Sequence, residues 1–390
     1  MAVHSAKEAP EWWDGFVESH SSLLFHQAAW GDVLREGYRW TPLYVWLEEE
    51  DAPVLAFLAG IYDVGFMRIL YSSLPYGGLI GDVSFTKPLL AGLTPLLKEE
   101  RIHEIRFAEW GMRPELLDAG FDVVELNAQR IDLREYDQET YLNALPRAVR
   151  KNIRRTEREG LVVEEISSRD EVEGVFNLYA ESMKRNKAGL KYSIHRFYAI
   201  YDFLIPQGLA TILLVKHEGK LIASNTLVCS KGTVHDIQLS HDHAFQKMRP
   251  TDAVMFASVL WTIKSGAQYF DFMASPIGDE NLERFKAKWI ADDNPAATYI
   301  QNYSPLRARL WKLAQWGSGT RLGIAAIRLI RSMNQRYRQP RKPKKRLKPV
   351  FPAECPVATF VISVNRIATD KPMTTQMLRR EANDQRSSVD

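Results

Sequence analysis

The segment from Leu145 to Gly160 carries six Lys or Arg side chains within twelve residues, a density that suits a negatively charged ligand. On a helix, which advances about 100° per residue, these side chains fall within an arc of roughly 140°. They are Arg147, Arg150, Lys151, Arg154, Arg155 and Arg158. The apolar residues of the segment fall on the opposite side, and they are Leu142, Leu145, Val149 and Ile153. The pattern predicts an amphipathic helix with one basic stripe, ended by a glycine.

Like charges stand repeatedly at i,i+4 spacing along this basic stripe, an arrangement that destabilises an isolated helix by a few tenths of a kcal/mol per pair. An anionic ligand lying along the stripe would relieve that repulsion. The alternative interpretation is a plain solvated surface, which is what many runs of charge are.

Polar and aromatic residues also punctuate three predicted strand or helix ends: SSLPYGG at 72–78, FDFMASP at 270–276 and LERFKAKW at 282–289. The sequence contains no P-loop, no GxGxxG and no serine or cysteine nucleophile elbow. Its chemistry therefore has to come from other groups.

The chain has 390 residues, 45% of them hydrophobic, which is enough for two domains with a core each. It shows neither a run of 18 apolar residues nor a signal-peptide pattern, so a cytoplasmic protein is expected. Two cysteines are too few for a disulfide framework or a thiolate metal site. The histidines cluster only at His235, His241 and His243, which we interpret as hydrogen-bonded surface groups at strand ends and not as a metal site.

Two segments share the order hairpin, helix, strand. LYVWLEEEDAPVLAFLAGI, from Leu43, resembles TILLVKHEGKLIASNTLVC, from Thr211, since each has two apolar runs around a short polar turn. A helix and a single strand are predicted downstream of both. The repeat predicts two copies of one α/β module, over residues 12–135 and 136–305.

The segment 306–348 has a different composition from the two modules. From Arg307 to Lys348 it holds fourteen Lys or Arg and no Asp or Glu. We predict a basic, amphipathic helical extension with two interpretations: it contacts an anionic inner membrane peripherally, or it packs on the body and exposes its charges. Residues 349–390 are predicted to be a largely disordered tail.

An ordered set of motifs resembles the FemAB-like transferases, which are built from two GNAT-type acyltransferase modules. The motifs are FHQAAWGDVL at 25–34, LPYGG at 74–78, LPRAVRKNIRRTEREGL at 145–161, YFDFMAS at 269–275 and LERFKAKW at 282–289. The resemblance covers roughly residues 20–305 and is greatest to the FemAB proteins associated with bacterial surface polysaccharides, because no sustained heptads of a coiled-coil arm occur. It implies two tandem GNAT-like modules with mixed sheets.

The resemblance further implies transfer of an aminoacyl or other acyl group to an amine of a peptidoglycan or surface-polysaccharide precursor. Lys286 then lies near the reacting acyl group, where its ammonium would stabilise the oxyanion. Phe285, in the same element, is expected to bind the substrate. Asp271, at a strand end, would accept or orient the amine proton. Tyr76 would line the acceptor pocket, because Gly77 and Gly78 permit close backbone approach. The alternatives are a snorkelling lysine, a turn-forming aspartate and a simple tight turn.

The expected substrates carry phosphate, and the residues expected to bind it are Arg147, Arg150, Lys151, Arg154 and Arg249. Candidate ligands are a lipid-linked or nucleotide-linked saccharide or peptide precursor, tRNA and the CoA diphosphate. A CoA-binding GNAT loop is rich in glycine, whereas FQKMRPTDAVM at 245–255 has none. Acyl-CoA is therefore not the default donor. Aminoacyl-tRNA and acyl-CoA both stay open as donors, and no other cofactor is expected.

A different class of function also fits the basic segments: a non-catalytic protein that binds RNA or an envelope-assembly complex on a degenerate GNAT scaffold. The aromatic residues favour the enzyme, because they cluster in predicted core elements and not beside the basic residues, where they would stack on bases.

Overall fold

Strands and helices alternate along most of the chain. The computed structural model describes residues 1–186, 188–317 and 361–362. The strands are β1 (Ala2–Ala6), β2 (Thr41–Glu49), β3 (Ala52–Asp63), β4 (Arg68–Ser72), β5 (Ile80–Gly81), β6 (Glu104–Glu109), β7 (Asp122–Asp132), β8 (Val162–Glu165), β9 (Ala210–His217), β10 (Lys220–Ser230), β11 (Thr233–His241), β12 (Tyr269–Pro276), β13 (Asp292–Asn302) and β14 (Val361–Ile362). The α-helices are α1 (Trp13–His20), α2 (Ala28–Asp32), α3 (Thr86–Gly92), α4 (Thr94–Glu99), α5 (Pro114–Asp118), α6 (Gln138–Ala144), α7 (Arg147–Arg158), α8 (Glu171–Arg185), α9 (Ile194–Phe203), α10 (Pro250–Lys264), α11 (Glu280–Ala287) and α12 (Pro305–Gly317).

Both predicted hairpins form, as β2–β3 and β9–β10. Each leads into a further antiparallel strand, β4 or β11. Helices follow, α3 and α4 in one case and α10 in the other, and the next strand returns parallel to β4 or β11, as β6 or β12. The same order of strands and helices therefore occurs twice, as expected for two copies of one α/β unit.

Two further strands join these copies into one mixed sheet. Its order is β1-β2-β3-β4-β6-β13-β7-β12-β11-β10-β9-β8-β14, and β5 pairs with β3. Strand β13 follows the second copy along the chain yet lies between β6 and β7, while β7 precedes the second copy and pairs with its β12. The ladder is thus continuous across the centre of the molecule. The division of the chain at residue 136 stays a prediction.

Helix α7 has the amphipathic character that the sequence predicts. Val149 and Ile153 are buried in one cluster with the apolar residues of α10, and the basic residues face outward. The structure corrects one detail: α6 and α7 are separate helices, because Pro146 disfavours the helical conformation at the residue before it. Leu145 accordingly has an extended backbone, with ψ 148°, although its side chain is buried.

Only the start of the predicted basic extension can be described. Helix α12 begins it, and Trp311 packs with Met67 and Ile69 of the first half. Residues 318–348, on which the membrane interpretation mainly rests, lie outside the described residues, as does the 349–390 tail apart from β14. Among the helices that are described, none combines the length and the apolar character needed to cross a bilayer.

A pair of substitutions tests the packing of α7. Ile153→Ala should lower the free energy of unfolding by about 2–4 kcal/mol, because it leaves a cavity against α10. Lys151→Ala, two residues away on the exposed face, should change it by less than about 0.5 kcal/mol. Urea unfolding followed by circular dichroism measures both. Equal effects of the two substitutions would mean that α7 does not pack as described.

Candidate active site

Strands β11 and β12 separate near the middle of the sheet. They pair in parallel only over Thr233–His235 and Tyr269–Asp271. Beyond these residues β11 continues along β10, and β12 continues along β7 after an irregularity between Asp271 and Ala274. The carboxyl ends of two parallel strands therefore diverge, which is where open α/β sheets bind their ligands.

Lys286 brings its amino group to this divergence. The residue lies on α11 and is 3% exposed. Its Nζ donates hydrogen bonds to the Met273 carbonyl oxygen at 2.7 Å and to Ser275 Oγ at 3.0 Å. Burial lowers the pKa of Lys286, and the negative charges of Asp271 and Asp236 oppose that shift. A cationic amino group in such a position can stabilise a developing oxyanion.

Asp271 is fully buried on the face of β12 opposite to Lys286, and each of its carboxylate oxygens accepts a hydrogen bond. His235 Nδ1 donates to Asp271 Oδ2 at 2.8 Å, and the Met273 backbone N–H donates to Oδ1 at 3.0 Å. His235 is also fully buried, and its Nε2 lies 2.9 Å from Ser230 Oγ. The interpretation of His235 as a surface group was wrong, because both faces of β11 are covered at this position. Among the described residues, no group of three or more His, Cys, Asp or Glu is arranged to hold a metal ion.

Tyr76, from the first half of the chain, lies beside His235. Its ring lies 6.1 Å from the His235 ring and stacks on Trp110 at 6.0 Å, measured between centroids. Phe25 approaches His235 to 5.1 Å. Burial, and after it the charge of Asp271, raises the pKa of Tyr76. The structure thus places Tyr76 and Asp271 close together on one face of β12. Lys286 reaches the same strand from the other face, at Met273 and Ser275, although up to about 210 residues separate the three in the sequence.

The glycines after Tyr76 fit closely against β6. The Gly77 N–H donates to the Ala108 carbonyl at 2.7 Å, and the Gly78 N–H donates to Ser72 Oγ at 3.0 Å. Next to them lies the buried carboxylate of Glu109, which accepts from the Leu79 N–H and from Arg113 Nε, both at 3.0 Å. Burial raises the pKa of Glu109 to about 7, against the opposing charge of Arg113.

A second carboxylate, which was not predicted from the sequence, lies at the divergence. Asp236 follows His235 on β11 and therefore points to the other face, the face covered by α10. It is partly buried, and burial raises its pKa to about 7, while Asn225 and the charge of Lys286 act in the opposite direction. No local signal identified Asp236, because polar residues alternate with Val234, Ile237 and Leu239 along TVHDIQLSH as they would on a half-exposed strand.

The basic stripe and Phe285 form a separate group beside the amino end of α10. Arg147, Lys151 and Arg154 are exposed, and Arg150 donates to the Asn143 carbonyl. Arg249 is exposed directly before α10, with φ 64°.

Asp252 connects this group to α11. It accepts hydrogen bonds from Asn152 of α7 at 3.4 Å and from Lys288 at 2.7 Å. The Lys288 amino group lies 4.6 Å from the centroid of the Phe285 ring. Phe285 therefore packs near α10, whereas the neighbouring Lys286 points to the divergence of β11 and β12.

Comparisons with known proteins agree with this architecture. Residues 146–287 match the family model described as an acetyltransferase (GNAT) domain, which supports an acyltransferase. FemX, in its crystal structure, is 16% identical with a TM-score of 0.60, over 80% of this chain and 99% of that one. A tandem GNAT protein from the clavulanic acid biosynthesis pathway is 11% identical with a TM-score of 0.53, over 78% of this chain and 99% of that one.

A third solved structure, L-PGS from Bacillus licheniformis, is 14% identical with a TM-score of 0.52, over 84% of this chain and 98% of that one. No curated protein sequence matches the chain. The predicted α/β fold of tandem GNAT-like modules is confirmed, and so, at the level of the fold, is the likeness to FemAB proteins.

The close fit of the PYGG loop can be tested with two glycines. Gly78 has φ +91°, and a Cβ there would lie 2.2 Å from the Glu109 carboxylate. Gly160 has φ +69° and open space around it. Gly160→Ala should destabilise by about 1–2 kcal/mol from backbone strain alone, and Gly78→Ala by about 2–5 kcal/mol because steric overlap adds to the strain. Urea unfolding gives both values, and equal losses would contradict the close packing of Gly78 on Glu109.

Proposed function

We propose that this chain is an N-acyltransferase that moves an acyl or aminoacyl group from an activated carrier to an amine on a cell-envelope precursor. The observation that supports it most is the buried Lys286 amino group at the divergence of β11 and β12, inside a domain of the acetyltransferase (GNAT) type. The fold shared with FemX and the ordered motifs of FemAB-like proteins support the acceptor class, peptidoglycan or surface polysaccharide.

The reaction requires a neutral amine, an acceptor for its proton and stabilisation of the oxyanion. In our proposal the amine attacks the acyl carbon, and the new C–N bond forms as the carbonyl oxygen takes up negative charge beside the Lys286 ammonium. Asp236, which is partly exposed and has its pKa raised to about 7, accepts the amine proton. The bond to the carrier then breaks, and the carrier leaves as a thiol or hydroxyl with that proton.

The other predicted site residues take positioning roles in this proposal. Both oxygens of Asp271 are already hydrogen-bonded within the protein, so we assign it to holding the turn beside Lys286 and not to accepting the proton. Tyr76 closes the site from the first half of the chain, where it would line the acceptor pocket.

The donor is proposed to be aminoacyl-tRNA, with acyl-CoA as the alternative that a binding experiment must address. The loop before α10 has no glycine, and the Asp252 carboxylate occupies the first turn of that helix. A CoA diphosphate would meet a negative charge there, whereas the arginines and lysine of α7 face solvent and suit an extended polyanion.

The pH dependence of transfer tests the catalytic assignment. The rate should rise with pH through about 7 as Asp236 loses its proton, and fall at alkaline pH, below the ordinary lysine pKa of about 10.4, as Lys286 loses its charge. Asp236→Asn should remove the rising limb and lower kcat by about 10²- to 10⁴-fold. Lys286→Met should lower kcat by about 10²- to 10³-fold.

Arg284→Ala is the matched control, because Arg284 is an exposed cation on the same helix. It should leave kcat unchanged. Full activity in both Asp236→Asn and Lys286→Met would show that the site is assigned wrongly. If the wild-type protein binds RNA but transfers no acyl group, the non-catalytic alternative is favoured.

A binding screen identifies the donor and tests the basic stripe. Thermal shift and native mass spectrometry should detect binding of charged tRNA. Acetyl-CoA and longer acyl-CoAs are screened in parallel, and binding of these would identify acyl-CoA as the donor. Replacing Arg147, Lys151 and Arg154 with Ala should weaken tRNA binding and reduce the slope of log K against log salt by about 2–3. Replacing Lys87, Lys98 and Arg101, exposed cations elsewhere, with Ala removes the same charge and should have little effect. Equal losses in both triple variants would argue against a specific stripe.

A further inference from the structure

The backbone of Met273 adopts an unfavourable conformation at the centre of the site. Met273 has φ 63°, a left-handed value that a side chain other than glycine rarely adopts. It lies within the irregularity that separates β12 from the regular ladder with β7. Such conformations persist only where neighbouring groups enforce them, and they cluster at functional sites.

Asp271 enforces this turn, and the turn aims the carbonyl of Met273. The Met273 N–H donates to Asp271 Oδ1 two residues earlier, at 3.0 Å, in the manner of an Asx turn. The carbonyl of the same residue accepts the Lys286 Nζ hydrogen bond at 2.7 Å. The position of the Lys286 amino group therefore depends on the orientation of the Asp271 carboxylate.

Two residues that the proposed reaction does not use fix that carboxylate. His235 Nδ1–H donates to Asp271 Oδ2, so in the neutral ring Nε2 accepts from the Ser230 hydroxyl, 2.9 Å away. Ser230 Oγ in turn accepts from the Leu24 N–H at 2.9 Å. Every polar atom along this buried connection is thereby satisfied, as buried polar groups require.

This series of hydrogen bonds begins at Leu24, in the first half of the chain, and ends at Lys286, in the second half. Leu24 lies more than 200 residues before Ser230, and the ring of its neighbour Phe25 packs on His235. The turn at residues 24–26 packs on the end of β10. Hydrogen bonds thus link this contact to the Lys286 amino group.

We propose that Ser230 and His235 are positioning residues that transmit the docking of the first half of the chain, through Asp271 and the Met273 turn, to Lys286. The proposal deepens the function proposed above and rests on it only for the catalytic role of Lys286. The charged groups that act on Lys286 are Asp271 on β12, Asp236 on β11, and Asp279 and Glu283 at the start of α11. Of these, Asp271 is the one that His235 orients.

The test follows the Lys286 ammonium directly, by proton–nitrogen NMR of the full-length, lysine-labelled protein, with the signal assigned by its loss in Lys286→Met. In His235→Leu, the Asp271 carboxylate keeps its charge but loses the donor that fixes its orientation, so the Met273 turn no longer aims its carbonyl at Lys286. The titration of Lys286 should then move down by about one pH unit. His235→Asn retains a donor for Asp271 and should restore the wild-type titration. Ser230→Ala should move it in the same direction as His235→Leu, by less.

The outcomes separate this proposal from the proposed function. An unchanged Lys286 titration in folded His235→Leu and Ser230→Ala would overturn it. Should His235→Leu fail to fold, Ser230→Ala, which removes only a hydroxyl, decides alone. Ser230 is hydrogen-bonded to His235, which is hydrogen-bonded to Asp271, so a nucleophilic serine is the competing interpretation. Covalent labelling of Ser230 by a fluorophosphonate would show that it is a nucleophile and would overturn the positioning role. A shifted titration in a protein that transfers no acyl group would sustain this proposal while the proposed function fails.

Discussion

The burial of one amino group is the constraint on which the centre of this molecule depends. A lysine ammonium removed from water is unfavourable unless hydrogen bonds and negative charges surround it. Lys286 meets that requirement with a backbone carbonyl, a serine hydroxyl and the nearby carboxylates of Asp271 and Asp236. Those groups are available only because β12 leaves its regular ladder at Met273 and separates from β11. The irregular strand and the buried charge therefore require each other.

The continuous sheet explains how a site of this kind can be built from two copies of a module. Strand β13 pairs with β6 on one side and β7 on the other, and β7 pairs with β12, so the two parallel strand pairs belong to one ladder. Arg196 of α9 adds a second link, because its buried guanidinium donates to the Tyr38 hydroxyl at 3.0 Å. With the copies fixed in this way, Tyr76 of the first copy packs against His235 of the second.

Local patterns predicted the parts of the structure that local physics determines. The spacing of Val149 and Ile153 predicted the buried face of α7, and the apolar runs around short turns predicted both hairpins. A family motif singled out Lys286, whereas Asp271 was singled out by its place at the end of an apolar strand. The burial of His235 could not be predicted, because alternation in a strand shows that His235 and Asp236 face opposite ways but not that both faces are covered. The position of β13 between β6 and β7 depends on pairing across about 190 residues, which no local signal specifies.

The amino end of α10 imposes a different requirement on any phosphate-bearing substrate. A helix amino end normally attracts anions through its free N–H groups and its dipole. Here the Asp252 carboxylate already occupies the first turn, covered by Lys288 and Asn152. A diphosphate would have to compete with a carboxylate that is built in. A phosphate-bearing substrate, as proposed above, would then have to be recognised by side chains, and the exposed cations of α7 and Arg249 are separate charges along a surface and not a single cradle. Such an arrangement favours an extended polyanion over a compact diphosphate, and it makes binding sensitive to salt.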